Sequence, residues 1–130
     1  MVCPIVVTAA ILVRGGRVLI SQRRRDARRA LQWEFPGGKV EMGETPEAAL
    51  ERELREELGV QTRTGRVFDA KLFHDPDQSL LVLFYACELL EGEPAPLDAN
   101  AIAWVEPARL TEYDFCLADA AVAARLAGEP

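Results

Sequence analysis

The chain has one histidine, three cysteines and no apolar stretch long enough to cross a bilayer. Each shortage excludes something. The N-terminal apolar run, Val2–Val13, falls well short of the ~20 residues that a membrane-spanning helix needs. It has neither a basic leader nor a small-residue cleavage site, and it stops at Arg14-Gly15-Gly16, so it reads as a buried strand. Cys3, Cys87 and Cys116 cannot all pair within one chain and form no C-x-x-C unit. They read as reduced thiols of a cytoplasmic protein, with Cys3 and Cys87 as small core residues in apolar runs. Basic residues are in the minority, 15 Lys and Arg against 21 Asp and Glu, for a formal charge of −6. A nucleic-acid polymer or an anionic membrane selects a basic partner, so neither is expected here. An anionic small molecule stays open if a metal or a local arginine cluster offsets the field.

What is present fits one globular domain: 130 residues, 49% apolar and 28% charged. No repeat, low-complexity tract or linker divides it. Val6–Val13 and Arg17–Gln22 are β-rich runs, and Gly15-Gly16 between them supplies the positive φ values of a tight hairpin. An arginine-heavy stretch, Arg23–Arg29, leads into Leu31–Val40, where Pro36-Gly37-Gly38 predicts an irregular loop after a short strand. Thr45–Leu58 is the strongest helix, with Thr45 as N-cap, Pro46 at the first position, and Gly59 as the stop. Leu50, Leu54 and Leu58 give it one apolar stripe. Val67–Phe73 and Leu80–Leu89 read as strands around a turn holding His74, the latter central because Leu80–Ala86 is apolar throughout. A Pro-rich loop (Glu91–Asn100), a short strand (Ala101–Val105) and a helix (Ala118–Leu126) complete an α+β domain, a mixed sheet with helices on it. Trp33 and Trp104 are expected in the core or a pocket wall, and His74 at the surface.

On the long helix, Glu53, Glu56 and Glu57 share one arc: at ~100° per residue, positions 56 and 57 fall about 60° and 40° to either side of 53. Arg52 can pair with Glu56 one turn on. Two readings fit these residues. One is a solvated acidic face. The other is a site for Mg²⁺ or Mn²⁺, which take a few carboxylates plus phosphate oxygens, here beside a glycine loop and the further acids Glu41 and Glu44.

The spacing Gly38-x5-Glu44-x7-Arg52-Glu53-Leu54-x-Glu56-Glu57-x-Gly59-Val60 resembles, position for position, the Nudix box, G-x5-E-x7-R-E-U-x-E-E-x-G-U. Trp33–Glu47, the Glu91-Gly92-Glu93-Pro94 loop and Asp114-Phe115 look like the MutT-type subfamily, so the likeness spans nearly the whole chain. The resemblance implies the Nudix fold, a mixed sheet between helices in an α/β/α sandwich. It also implies hydrolysis of a nucleoside triphosphate to a monophosphate and pyrophosphate, with 8-oxo-dGTP as substrate and nucleotide-pool sanitation as the purpose. Related Nudix substrates are modified pyrimidine triphosphates, dinucleoside polyphosphates and ADP-ribose; a ligand-sensing Nudix module without catalysis would usually lack box carboxylates.

Carried over, a carbonyl of Gly37 or Gly38, the carboxylates of Glu53, Glu56 and Glu57, and Asp98 from a distant loop would hold metal. Glu53 is the first choice to activate water, with Glu56 or Asp98 next, and Arg52 with Glu44 would form a supporting ion pair. Arg23 and Arg28 would contact substrate; Glu34, Phe35, Pro36, Gly37 and Gly38 would line its pocket, Phe35 by stacking on the base. Asp119 would face the purine. The chain departs from the MutT pattern in Asp98 for glutamate, Arg28 for histidine, Asp119 for asparagine, and Gln78 for a basic residue.

Overall fold

A computed structural model describes residues 3–74 and 76–128; Val2 lies outside them. The strands are β1 (Ile5–Arg14), β2 (Arg17–Gln22), β3 (Trp33–Glu34), β4 (Gly37–Lys39), β5 (Gln61–His74), β6 (Ser79–Glu91) and β7 (Ala101–Val105). The helices are α1 (Pro46–Leu58) and α2 (Leu117–Leu126), with a 3₁₀ turn at Pro107–Glu112. The sheet's main path runs β3-β2-β1-β6-β5, with β4 added to β1 and β7 to β2. Among the described strand pairs only β1–β6 is parallel, from Ile5↔Leu80 to Leu12↔Cys87, so the sheet is mixed as expected.

Two cores flank this sheet. Leu50, Leu54 and Leu58 of α1 pack with Ala10, Leu12, Leu19, Val60 and Tyr85 on one face. Val122 and Ala123 of α2 and Leu110 of the 3₁₀ turn pack with Ile11, Val82, Phe84 and Phe115 on the other. The helices therefore sandwich the sheet. Strand β6 feeds both cores by alternation, Val82 and Phe84 one way, Leu83 and Tyr85 the other. Each leucine of the α1 stripe contributes about 1.5–3 kcal/mol of burial, and together they fix the helix's rotation. Its ends form as the sequence indicates: Thr45 Oγ1 accepts from Ala48 N–H at 3.1 Å, and Gly59 adopts φ 72°.

The structure corrects several expectations. Within Leu31–Val40 the short strand is β3, but the Pro36-Gly37-Gly38 segment after it is not an irregular loop, since Gly37–Lys39 forms β4. Strand β4 is Gly-Gly-Lys, a poor strand by propensity, held by its pairing Thr8↔Gly38 and Ala9↔Gly37 with β1. A Cβ on Gly37 would stand 2.0 Å from the Thr8 carbonyl oxygen, so only glycine permits this approach. The β1–β2 hairpin turns at Gly15 (φ 58°) and Gly16 (φ 76°) but pairs only at Val13↔Val18 and Arg14↔Arg17. Beyond that β1 takes β4 and β6 as neighbours while β2 takes β3 and β7, so the two splay apart. Strand β5 begins at Gln61, six residues earlier than its apolar pattern suggests, because bulges between Thr64 and Asp69 interrupt the alternation. Cys3 is exposed, lying before β1 and outside both cores. Among the described residues no helix is long and apolar enough to cross a membrane.

Candidate active site

Two constraints place the acidic arc: the leucine stripe turns α1 so that Glu53 and Glu57 look toward β4, and glycine at 38 lets them come close. A Cβ on Gly38 would lie 2.3 Å from Glu53 Cδ, so the strand's backbone and the Glu53 carboxylate adjoin directly. Arg52 sits at the centre of the acids. Its Nε and Nη2 donate to Glu44 Oε2 and Oε1 at 2.7 and 3.0 Å, and Nη1 donates to Glu53 Oε1 at 3.1 Å and Glu56 Oε2 at 3.2 Å. Its Nη2 also reaches the Lys39 carbonyl at 3.2 Å, tying α1 to β4. The Arg52 bonds, helped by the Glu41 N–H, hold Glu44 down to about 2. Burial pushes the half-buried Glu53 up, with Arg52 opposing.

Glu57 is pushed up to about 9, first by burial, then by the charges of Glu53, Glu34 and Asp98, while the Gly37 N–H pulls the other way. Among the described residues no three acidic, histidine or cysteine side chains already stand together as metal ligands. Glu56 is exposed and turned to Arg52. Asp98, expected to complete the metal site, is 58% exposed at its side chain and accepts from Arg24 Nη1 at 3.2 Å. Its charge is still felt at Glu57. The donor set nonetheless fits a hard divalent cation: carboxylate oxygens, an adjoining glycine backbone, and like-charge repulsion at Glu57 that a cation would relieve. In the metal-free protein the native state keeps the Glu57 proton where the unfolded chain has lost it. That group therefore lowers stability as pH rises from its ordinary 4.5 toward 9. Titrating Mg²⁺ or Mn²⁺ at pH 7 should raise Tm, by about 2.7 kcal/mol of stability at ~100 times Kd, and release a proton into the buffer. Calorimetry in buffers of different ionisation heat measures that proton; an unmoved Tm would mean that no native-state site exists.

Beside the arc opens a cleft of about 360 Å³. Gly37, Gly38, Lys39 and Glu57 line it, as do Arg23, Arg28, Arg29, Glu34, Phe35 and Asp119; Val7, Ala9, Leu80 and Val82 from β1 and β6 join them. Arg23 is fixed at both ends, Nε donating to the Arg28 carbonyl at 2.6 Å and Nη1 to Glu34 Oε1 at 3.1 Å. Burial raises Glu34, with Arg23 opposing. Asp119, in the first turn of α2, is only 8% exposed, and its Oδ2 accepts from Phe35 N–H at 2.8 Å. Burial pushes it up to about 8; Glu34 adds to the rise, and the Phe35 N–H and Arg23 counter it.

Two pocket expectations change. The Phe35 ring is 3% exposed, stacked on Phe115 at 5.2 Å and edge-on to Phe84 at 6.1 Å, so its face is spent in the core. What Phe35 offers the cleft is its N–H, held on Asp119. Pro36 is buried with its carbonyl accepting from Ala10 N–H at 2.8 Å, and it does not line the cleft. Trp33 stands edge-on to Tyr113, and Trp104 lies under Arg14 at 4.3 Å. His74 is exposed, its Nδ1 2.6 Å from Ser79 Oγ. Sequence reasoning missed Arg29, Phe73, Cys116 and the strand residues of the floor. The strand residues look like ordinary core, and only the β5–β6 register, Phe73↔Leu80, brings that hairpin to the cleft.

A glycine strand against helix carboxylates, opening on an arginine-lined cleft, is a site built for phosphate chemistry. The NUDIX domain pattern matches residues 4–126, and the chain belongs to the NUDIX family. It is 38% identical over 109 residues to the 8-oxo-dGTP diphosphatase of Escherichia coli K12, covering 84% of each chain. To the putative 8-oxo-dGTP diphosphatase 2 of Mycobacterium tuberculosis it is 42% identical over 116 residues, covering 88% of this chain and 82% of that one. The solution structure of the E. coli ORF135 protein superposes with a TM-score of 0.82 at 31% identity, covering 94% and 87%. The chain is thus a MutT-type hydrolase of phosphoric anhydride bonds.

Proposed function

We propose that this protein hydrolyses 8-oxo-dGTP to 8-oxo-dGMP and pyrophosphate with Mg²⁺, Mn²⁺ serving in its place, and so removes oxidised nucleotide before a polymerase can use it. The observation that carries this reading is one cleft that adjoins the Gly38–Glu53–Glu57 cluster and is also lined by a buried carboxyl fixed by a backbone N–H.

Glu53, Glu57 and a Gly37 or Gly38 carbonyl would hold the cation, with Glu56 and Asp98 as further carboxylates within its reach. When bound, the cation neutralises charge growing on the phosphate oxygens. Glu53 accepts the proton of the attacking water at a carboxylate oxygen, and its burial suits it to act as a base nearer neutrality. Arg52 and Glu44 hold that carboxylate against β4. Arg23 and Arg28 meet phosphate and sugar on the open side, where bidentate arginine fits oxyanions. Asp119 reads the base. Its Oδ2 is engaged by Phe35 N–H, so the neutral acid carries its proton on Oδ1 and presents a donor and an acceptor together. The edge of 8-oxoguanine offers an O6 acceptor and an N7–H donor, whereas guanine has only acceptors there.

Pyrophosphate release measured across a panel of nucleotides, with the cation present and chelated, tests the function; no release from any nucleotide overturns it. For the base contact, Asp119→Ala should lower the ratio of kcat/KM for 8-oxo-dGTP over dGTP by a factor corresponding to about 1–3 kcal/mol. Asp119→Asn should keep the ratio and make it independent of pH. In the wild type the ratio should fall between pH 7 and 9, as Asp119 ionises near 8 and loses its donor. A ratio level in all three proteins would remove Asp119 from base reading.

A further inference from the structure

With the Phe35 ring spent on Phe115 and Phe84, the cleft keeps one other aromatic, Phe73, half-buried at the end of β5. Across the mouth from it stands Arg29, whose guanidinium carbon is 6.0 Å from the Phe73 ring centroid. That is the outer limit of a cation–π contact. The same pairing elsewhere in the molecule is closed, at 4.2 Å for Arg125 over Phe68 and 4.3 Å for Arg14 over Trp104. Arg29 and Phe73 therefore face each other across a gap. A planar ring lying between two flat groups needs about 3.5 Å to each, about 7 Å in all. A rotation of the long arginine side chain supplies the remaining ångström.

The backbone points to the same place. Arg29 (φ 54°) and Leu31 (φ 63°) are the two non-glycine residues with positive φ among those described, and both lie in this loop. Such conformations persist only where the surroundings impose them, and they gather at functional sites. Here the neck of the loop imposes them: Arg23 N–H donates to Gln32 O at 2.8 Å, Leu31 N–H to Arg23 O at 3.1 Å, and Gln32 N–H to Arg29 O at 3.2 Å. Arg29 also neighbours the start of the helix that carries Asp119. It is close enough to Cys116 to act on its thiol, and Cys116 N-caps the helix that carries Asp119.

We infer that Arg29 and Phe73 form a clamp that grips the flat faces of the nucleobase, the guanidinium plane on one side and the phenyl ring on the other. The inference rests on the nucleotide reading above. Stacking of this kind tolerates any base, so the clamp supplies affinity while the edge contact at Asp119 supplies discrimination.

The test measures Kd for 8-oxo-dGMP and dGMP by calorimetry without metal, together with KM and kcat for the triphosphates. Phe73→Ala and Arg29→Ala should each weaken both monophosphates about tenfold, leave the ratio between them unchanged, and raise KM far more than they lower kcat. Phe73→Tyr should restore binding. Arg29→Gly, which suits φ 54° without a Cβ, should melt no lower than the wild type and still bind weakly, separating the clamp from a fold defect. Inhibition by inorganic tripolyphosphate should not change in either alanine variant. If tripolyphosphate weakens with Arg29→Ala, Arg29 is a phosphate contact and the clamp is overturned. If the wild type binds nucleotides and the variants match it, the clamp alone falls; if the wild type binds none, the nucleotide reading falls and takes the clamp with it.

Discussion

Glu53→Gln should lower kcat by at least about 10²-fold while the protein keeps its fold. The amide has the carboxylate's shape, so the contact with Gly38 and the leucine stripe behind it are undisturbed. What changes is the chemistry of one oxygen. Glu53 is half-buried, 17% exposed at its side chain, and takes one Arg52 N–H at 3.1 Å. Its other carboxylate oxygen faces β4, where water and phosphate must come. Replacing that oxygen with an NH₂ turns an acceptor into a donor, which can neither take a proton from water nor bind a cation. Glu47→Gln is the matched control. Glu47 lies in the first turn of the same helix, off the arc, and its Oε2 accepts from Tyr85 Oη–H at 3.1 Å, a bond that the glutamine oxygen can keep. Its kcat should move less than about twofold, as for other surface changes away from special features. Steady-state kinetics under saturating Mg²⁺, with Tm for both variants, decides it: near wild-type turnover in Glu53→Gln would pass the base to another carboxylate.

The elements that carry the acids were legible in the sequence because their signals are local. Thr45-Pro46 and Gly59 bound α1, and the spacing of Leu50, Leu54 and Leu58 sets which way Glu53 points. The cleft's other end was legible only in part, because it is made by register. Nothing near Phe35 in sequence shows that Phe115 and Phe84 will cover its ring, so the stacking role implied by the resemblance had no local signal against it. Nothing near Phe73 shows that the β5–β6 hairpin will bring it to the mouth opposite Arg29. Asp98 is a similar case: its charge reaches Glu57, as a ligand from a distant loop requires, while the pairing with Arg24 at 3.2 Å is made across the fold and has no local sequence signal. Gly37 shows the reverse case, in which the glycine was conspicuous and its reason, the Thr8 carbonyl 2.0 Å from any Cβ, was hidden in the sheet.

Arg52→Lys should lower kcat between about 10- and 100-fold, although it keeps the charge, with KM for the nucleotide nearly unchanged. A guanidinium has five N–H groups, and Arg52 uses that number of bonds: two to Glu44, one each to Glu53 and Glu56, and one to the Lys39 carbonyl. An ammonium offers three donors from a single point and cannot make the two-pronged contact with Glu44. Lysine at this position must give up at least two of these five bonds. Whichever it releases, the Glu53 carboxylate and the helix-to-β4 tie through Lys39 lose their common anchor, while no group on the substrate side of the cleft is touched. Glu44→Gln removes the charge at the other end of the same pair and should cost a similar factor. Because the two residues position Glu53 as one unit, the double variant should be little worse than either single one. If the two losses instead multiply, Arg52 and Glu44 act independently, and the ion pair is not what holds the Glu53 carboxylate in place.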